Sequence, residues 1–309
     1  MNKSFFTLLI TTILIYSCKK NSISYFDQVP PSNKQQLFAP SLVNTDSIEL
    51  NVVFNATSTE MFFSRIVDRS FVIHHTELID GKWSTIKPIQ MYPDSIAISV
   101  ACDPTITQDG KTMYFLGVDP KNYTNNVTPD KLYTIPPDIY MSKKVNGKWQ
   151  LAKKVEFSIS TEYLESYPVV VADGSIYFQS NRPNNGERKR STYRAQYLGN
   201  DKFDTPVIVN SKEHNLVYYV SPNEDYAITK DNKKFKIAYK KDGMWTPSKE
   251  IPLNYEKDLV YTCPYMSSDE KYFIFSTRYY NPLKKGWVGV EKGEVYWVSS
   301  DIMFNSDKN

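Results

Sequence analysis

The chain predicts an all-β fold, a single β-propeller of four-stranded blades, and three observations lead there. The first is a repeated phrase: a short strand, an Asp-Gly turn and a second strand ending in Phe or Ser. It runs from Pro104 through Asp109-Gly110 to Phe115 and from Pro168 through Asp173-Gly174 to Phe178. A diverged copy runs from Pro264 through Asp269 to Phe275-Ser276. The second is a partner phrase of strand, turn and aromatic: Asp138 to Ser142, then Asn146-Gly147-Lys148-Trp149. The third is composition: 14% of residues are aromatic, with 23 Tyr, which suits pleated, half-buried strands. Repetition on this scale means an array of small units, none of which can bury its apolar face alone.

The N-terminus reads as an address rather than as fold. Lys3 supplies a basic start, and Phe5 to Tyr16 is a nearly continuous apolar run. That run is too short to span a bilayer but right for the core of a signal peptide. It ends in Ile15-Tyr16-Ser17-Cys18, which resembles the lipobox of bacterial lipoproteins: an aliphatic residue, a variable one, a small one, and the Cys that takes the lipid. Tyr16 departs from the usual small or aliphatic choice. The expected division is a signal peptide over 1–17, a tether over 18–34 and the propeller over 35–309. Several acyl chains on Cys18, each contributing about 0.8 kcal/mol per buried CH₂, would anchor the chain stably.

Five units follow. Unit one carries strands around Asn51–Phe54, Met61–Arg65 and Phe71–Glu77, then the turn at Asp80-Gly81 and Trp83. Unit two starts at Ala101, pairs across Asp109-Gly110, resumes at Asp138 and closes at Trp149. Unit three runs from Tyr167 through Tyr193 to Phe203 and Pro206. Unit four holds Tyr218–Val220, Tyr226–Thr229, Phe235–Lys240 and Trp245. Unit five holds Tyr261–Met266, Lys271–Ser276 and Glu294–Ser299. The Asp-Gly and Asn-Gly pairs supply the positive φ that tight hairpins require. Trp83, Trp149, Phe203 and Trp245 recur just after the second turn and are expected to fill the space between adjacent sheets. Ile176 and Phe178 should face one way, Tyr177 and Gln179 the other.

Unit five lacks a fourth strand. The stretch from Gln36 to Val43 is expected to pair with Glu294–Ser299, close the ring and hide both edges. Five blades result; a sixth would have to come from Gly117–Pro137 or Asn21–Leu50. Two long insertions remain, Gly117–Pro137 and the basic Arg182–Ser191, both read as surface loops.

Composition excludes several functions. The net charge is +3 with signs interspersed, so nothing points to nucleic acid. Cys102 and Cys263 are too few for a disulfide framework; buried free thiols are the default, a single disulfide the alternative. There is no Gly-x-Ser-x-Gly elbow, phosphate loop, zinc spacing or Ca²⁺ loop, so neither cofactor nor metal is expected. His74 and His75 are adjacent in a strand, point to opposite faces and cannot chelate one metal together.

Taken together, the Pro-x₄-Asp-Gly phrases at Pro104 and Pro168, the diverged copy at Pro264, the Asp138-Ile-Tyr stretch and the Gly-x-Trp turns resemble the WD40-like "PD" repeats of TolB-like propellers. With the stretches Tyr25–Pro31 and Leu37–Pro40, they resemble lipoproteins of that superfamily from Bacteroidetes-type bacteria. The resemblance spans roughly residues 25–302. Units one and four depart from it, since Thr59-Glu60 and Asn223-Glu224-Asp225 replace the Asp-Gly. It implies a cell-envelope address, lipid-anchored to the outer membrane. In some such bacteria acidic residues after the Cys direct export to the surface; Lys19 and Lys20 are basic and favour the periplasmic face.

The resemblance also implies where a site would form. In the superfamily the inner strands begin at one mouth of the central channel, at the x-Pro step. That would gather Asp103, Tyr167 and Cys263 with Glu165, Tyr261 and Thr262, joined by Glu213 and His214 from unit four. Converging acids and aromatics bind a sugar, a peptide or a cation. The function expected is a non-enzymatic binding or scaffold module for an envelope protein or polysaccharide. The alternative is a carbohydrate-active enzyme, glycoside hydrolase-like, using channel carboxylates such as Asp103 and Glu165.

Overall fold

The computed structural model describes residues 25–68, 70–96, 99–119, 121, 135–156, 158–184, 186–209, 216–231, 233–284 and 289–304. Cys18, Glu213, His214 and most of the insertion at Gly117–Pro137 lie outside them, as does the apolar run at Phe5 to Tyr16. Among the described residues no helix is long and apolar enough to cross a membrane.

The described chain forms five antiparallel blades in sequence order. Blade 1 comprises Ile48–Phe54, Glu60–Val67, Ser70–Ile79 and the outer pair Lys87–Pro88. Blade 2 comprises Ala101–Ile106, Thr112–Gly117, Asp138–Val145 and Lys153–Lys154. Blade 3 comprises Glu165–Val170, Ile176–Ser180, Ser191–Ala195 and Val207–Ile208. Blade 4 comprises Leu216–Val220, Tyr226–Asp231, Lys234–Lys241 and Lys249–Glu250. Blade 5 comprises Leu259–Met266, Tyr272–Tyr280 and Val290–Ser299. Its fourth strand is Gln36–Leu37, with Gln36 opposite Trp297 and Leu37 opposite Tyr296.

The ring therefore closes as expected, by a leading strand on the last blade. Two further contacts secure it. Phe38 N–H donates to the Val295 carbonyl at 2.9 Å. The Asn44 side chain then behaves like one more strand residue: its Nδ2 donates to Val295 O at 2.9 Å, and Val295 N–H donates to its Oδ1 at 2.7 Å. The described part of Asn21–Leu50 thus supplies the clasp at Gln36–Asn44 and the start of blade 1, not a sixth blade. Blades 5 and 1 also meet through a parallel bridge, Ile48 to Gly293. A Cβ at Gly293 would sit 2.6 Å from Ile48 Cγ2, so glycine permits this approach.

The packed body starts earlier than the expected boundary at residue 35. Tyr25 is 3% exposed and lies edge-on to Phe54, Tyr272 and Trp297. The rings of Phe26 and Trp83 stack at 4.8 Å. The aromatic pair gives the end of the tether an apolar surface to bury, so Tyr25 onward is propeller.

Five of the hydrophobic clusters correspond to the five seams between blades. Phe38, Phe54 and Trp297 fill the seam from blade 5 to 1; Phe62, Met113 and Phe115 that from 1 to 2. Tyr114, Met141 and Phe178 fill 2 to 3; Val169, Tyr177 and Val217 fill 3 to 4; Phe235, Tyr261 and Phe273 fill 4 to 5. Because both faces of each blade are covered, Ile176, Tyr177, Phe178 and Gln179 are all buried despite facing alternate ways. The recurrent aromatics fall where expected, each in the seam with the preceding blade. Trp83 lies against Phe54 and Phe26, Trp149 is edge-on to Phe62, Phe203 packs on Tyr114, and Trp245 joins the seam at Val169 and Tyr177. In blade 5 the short helix Asp301–Phe304 takes that place. Met303 enters the seam and Phe304 lies edge-on to Tyr226 of blade 4.

Candidate functional site: the bulge ring and the channel

Every inner strand contains a β-bulge, and the bulges build the centre of the molecule. Register shifts fall between Leu50 and Val53, Cys102 and Thr105, Ser166 and Val169, Val217 and Tyr219, and Thr262 and Tyr265. The bulge residues are Asn51, Asp103, Tyr167, Tyr218 and Cys263. Four of them hold left-handed φ: Asn51 at 53°, Asp103 at 54°, Tyr167 at 50° and Cys263 at 49°. A bulge re-aims a side chain out of the pleat. Here the re-aimed side chains meet at the axis.

The ring is internally bonded. Asn51 Nδ2 donates to Asp103 Oδ1 at 3.2 Å, and Cys263 Sγ lies 3.8 Å from the same oxygen. The Tyr167 hydroxyl is 3.3 Å from Thr262 Oγ1, and the Tyr167 ring is edge-on to Tyr218 at 4.8 Å. Burial raises the Asp103 carboxyl above its ordinary range, although Arg278, Asn51 and Cys263 oppose the shift. Burial likewise pushes the Cys263 thiol up to about 12 and the Cys102 thiol well above its usual value. Both are free, buried thiols, an environment that holds a thiol in its protonated form.

On one side of the ring a cavity of about 400 Å³ opens toward the hairpin turns. The inner strands line it from the bulges onward: Val53 and Phe54, Thr105 and Ile106, Val169, Tyr219, and Tyr265. Gln108, Asn223, Asp225, Ser268, Asp269 and Glu270 form its rim. The turns that carry the rim explain the repeat. Asp109 Oδ1 accepts from Lys111 N–H at 3.0 Å, Asp173 Oδ1 from Ser175 at 2.7 Å, and Asp269 Oδ1 from Lys271 at 3.3 Å. These are Asx turns, with Gly110 and Gly174 supplying the positive φ that follows. Where the glycine is replaced, Glu224 and Glu270 adopt it instead, at 60° and 56°.

The expected site residues divide. Asp103, Tyr167 and Cys263 are in the ring. Glu165 and Tyr261 are not at the channel, which corrects the expectation. In a regular strand Glu165 would face the same way as Tyr167; the bulge between them breaks that parity. Glu165 pairs with Ser180 in register and faces the seam between blades 2 and 3. It accepts from Thr161 N–H at 3.0 Å, Thr161 Oγ1 at 2.8 Å, Ser180 Oγ at 2.8 Å and Arg182 Nη2 at 3.2 Å. Asp138 lies beside it, its carboxyl pushed up to about 6 by burial. Tyr261 is likewise turned into the seam between blades 4 and 5, its hydroxyl donating to Asn254 O at 3.0 Å. The pair Asp103 and Glu165 therefore does not face one substrate, and Glu213 lies outside the described residues.

Glu165 has a counterpart that the sequence reading missed. Glu49 accepts from Thr45 Oγ1 at 2.5 Å and from Arg65 Nε at 2.8 Å, at the matching position of blade 1. The shared signal was a Thr four residues before each Glu and an Arg on the second strand or just beyond it. A second unforeseen group clasps blades 1 and 2. Glu60 and Glu77 are opposed across two strands. Lys144 Nζ lies 2.7 Å from Glu60 Oε2 and 3.5 Å from Glu77 Oε1, and His75 Nε2 is 3.0 Å from Glu60. Burial alone would raise the Glu60 carboxyl, but hydrogen bonds from His75 and Lys144 bring it below its ordinary value. Glu60, His75 and Glu77 come close enough to hold a metal ion, yet the ammonium of Lys144 already occupies the position between the carboxylates. His74, on the opposite face, stacks on Phe63.

No family model matches the chain, and no curated protein does. Among solved structures it is similar to TolB from Acinetobacter baumannii, with a TM-score of 0.47 and 12% identity over 82% of this chain and 57% of that one. The chain thus spans just over half of that TolB. It is similar to a protein of unknown function from Dyadobacter fermentans, with a TM-score of 0.47 and 13% identity over 86% and 98%. It is also similar to an oligogalacturonate lyase from Vibrio parahaemolyticus, with a TM-score of 0.41 and 9% identity over 87% and 98%. The assignment of the fold rests on the strand topology itself.

Proposed function

We propose that the chain is a non-enzymatic binding module of the bacterial envelope, docking a segment of an envelope protein or polysaccharide in the channel cavity. One observation carries this reading. The cavity is walled by inner strands of a closed ring, so its shape is set before a ligand arrives, and little ordering cost falls on binding. Three of its four carboxylates are engaged in building the protein: Asp103 in the ring, Glu270 as acceptor for the Tyr226 hydroxyl, Asp269 as acceptor within its turn; the fourth, Asp225, lies at the rim. The test is cross-linking and pull-down from envelope extract with wild type and with the rim substitutions Gln108→Trp and Asn223→Trp, which narrow the opening. Recovery of a partner or glycan that either substitution abolishes supports the reading; no partner from wild type, or unchanged recovery, rejects it.

The proposed address is lipid attachment through Cys18, on the periplasmic face of the outer membrane. Cys18→Ala should abolish palmitate labelling and membrane retention, and unchanged labelling would reject the assignment. Glycoside hydrolysis remains the competing activity. It needs two carboxylates facing the scissile bond, and Asp103 is the one that the ring presents. Turnover of a polysaccharide panel, lost in Asp103→Asn, would replace the binding reading.

A further inference from the structure

The charges that line the channel cavity are all of one sign. Among the described residues the lining holds four carboxylates, Asp103, Asp225, Asp269 and Glu270, and no lysine, arginine or histidine. This runs against the chain as a whole, whose net charge is +3. Three of the four stand at the mouth, on the first turns of two adjacent blades. Asp225 closes the turn between Leu216–Val220 and Tyr226–Asp231, and Asp269 and Glu270 lie between Leu259–Met266 and Tyr272–Tyr280. The Tyr226 hydroxyl donates to Glu270 Oε1 at 3.1 Å and ties the two turns together.

These carboxylates keep acceptor capacity after the protein has used its share. Asp225 is exposed and takes part in no ion pair among the described residues. Glu270 gives the Tyr226 hydroxyl one of its two oxygens. Asp103, deeper in the cavity, is only 8% exposed. Asn51 Nδ2 and Cys263 Sγ both meet its Oδ1, and among the described residues no hydrogen bond reaches Oδ2. Arg278 and Arg190 act on this carboxylate through space. A buried acceptor without a donor is costly, and one that lines a cavity is a place for the N–H or O–H of a ligand. Between mouth and floor the wall is aromatic and aliphatic. Tyr219 and Tyr265 meet edge-on at 5.8 Å, Phe54 lies 6.4 Å from Tyr265, and Val53 and Ile106 join them. Such a wall takes the methylene stem of a long cationic side chain and attracts its head.

We propose that the occupant of this cavity is a basic segment of an envelope protein, an extended peptide whose lysine or arginine lies against Asp225 and Glu270 while an N–H or hydroxyl farther along it donates to Asp103 Oδ2. The inference rests on the binding reading above and narrows it to protein. A neutral glycan brings no cation to the mouth, and an acidic one is repelled there.

The probe is an end-blocked hexapeptide of alternating lysine and serine, titrated into the full chain by calorimetry at low, constant ionic strength. A glutamate–serine hexapeptide and an oligogalacturonate serve as comparisons. Saturable binding of the lysine peptide alone is expected. Asp225→Asn and Glu270→Gln should each weaken it about threefold, and together about tenfold. Asp242→Asn, an exposed carboxylate outside the cavity, should leave it unchanged. Asp103→Ala should also weaken it about tenfold if that variant folds; the two mouth variants decide the matter in any case. The Asp225→Asn/Glu270→Gln pair, carried into the pull-down, separates this inference from the reading beneath it. A partner lost in Gln108→Trp but retained by the pair would leave the cavity a binding site and overturn the basic segment. Recovery of a glycan, no saturable binding of the lysine peptide, or equal binding of the glutamate peptide would overturn it too.

Discussion

Lys230 shows how a single side chain records the architecture. Burial and the nearby Arg278 lower its pKa to about 8 from the ordinary 10.5. The unfolded chain therefore binds more protons than the folded one between those values, and stability should rise with pH across that window and be lowest, for this group, below it. Lys230→Met removes the penalty and should stabilise the protein at pH 7 by roughly 1–3 kcal/mol, read by urea denaturation. A destabilised variant would show that the ammonium has a partner worth more than its desolvation. Glu165 has the opposite character. It is fully buried, with Arg182, Thr161 and Ser180 donating to it. Glu165→Leu should cost about 2–4 kcal/mol by stranding those donors, with ligand recovery unchanged once folded protein is used. Loss of binding by a fully folded variant would return Glu165 to the candidate site.

At the scale of elements, the clasp between the leading segment and blade 5 is the decisive contact. Gln36–Leu37 is only a two-residue strand, so much of the pairing falls to Phe38 and Asn44. Asn44 imitates a backbone partner by satisfying both the N–H and the C=O of Val295. Asn44→Ala leaves the Val295 N–H without its acceptor, while the carbonyl keeps Phe38 N–H, and should lower stability by roughly 1–3 kcal/mol; a loss below about 0.5 kcal/mol would mean that water replaces the amide. The repeated aromatic after the second turn is an element-scale device as well. Each one enters the seam with the preceding blade, and blade 5 substitutes a helical turn carrying Met303 and Phe304. That substitution could not be read from the repeat phrase, because the helix shares no residues with it.

On the scale of the whole molecule, stability depends on the circle, since each blade buries its faces only against its neighbours. A chain beginning at Tyr25 should unfold cooperatively, whereas one beginning at Thr45, which lacks the clasp, should lose cooperativity or aggregate through the open edge of blade 5. Matching thermal transitions for the two would contradict closure by the leading strand. Sequence alone determined the strands, the turns, the closing segment and the aromatic fillers. These follow from local signals: Asp-Gly turns, Pro-led phrases and a ring spaced regularly after each hairpin. Asp103, Tyr167 and Cys263 were named through the resemblance to TolB-like propellers, whose inner strands begin at the x-Pro step. Tertiary structure alone decided which way the neighbouring side chains point. A one-residue bulge leaves no mark in composition, yet it reverses the facing of everything upstream, sending Glu165 and Tyr261 into the seams. Only folding could bring Arg278 near enough to act on Lys230, because that proximity depends on the curvature of two separate blades about one axis.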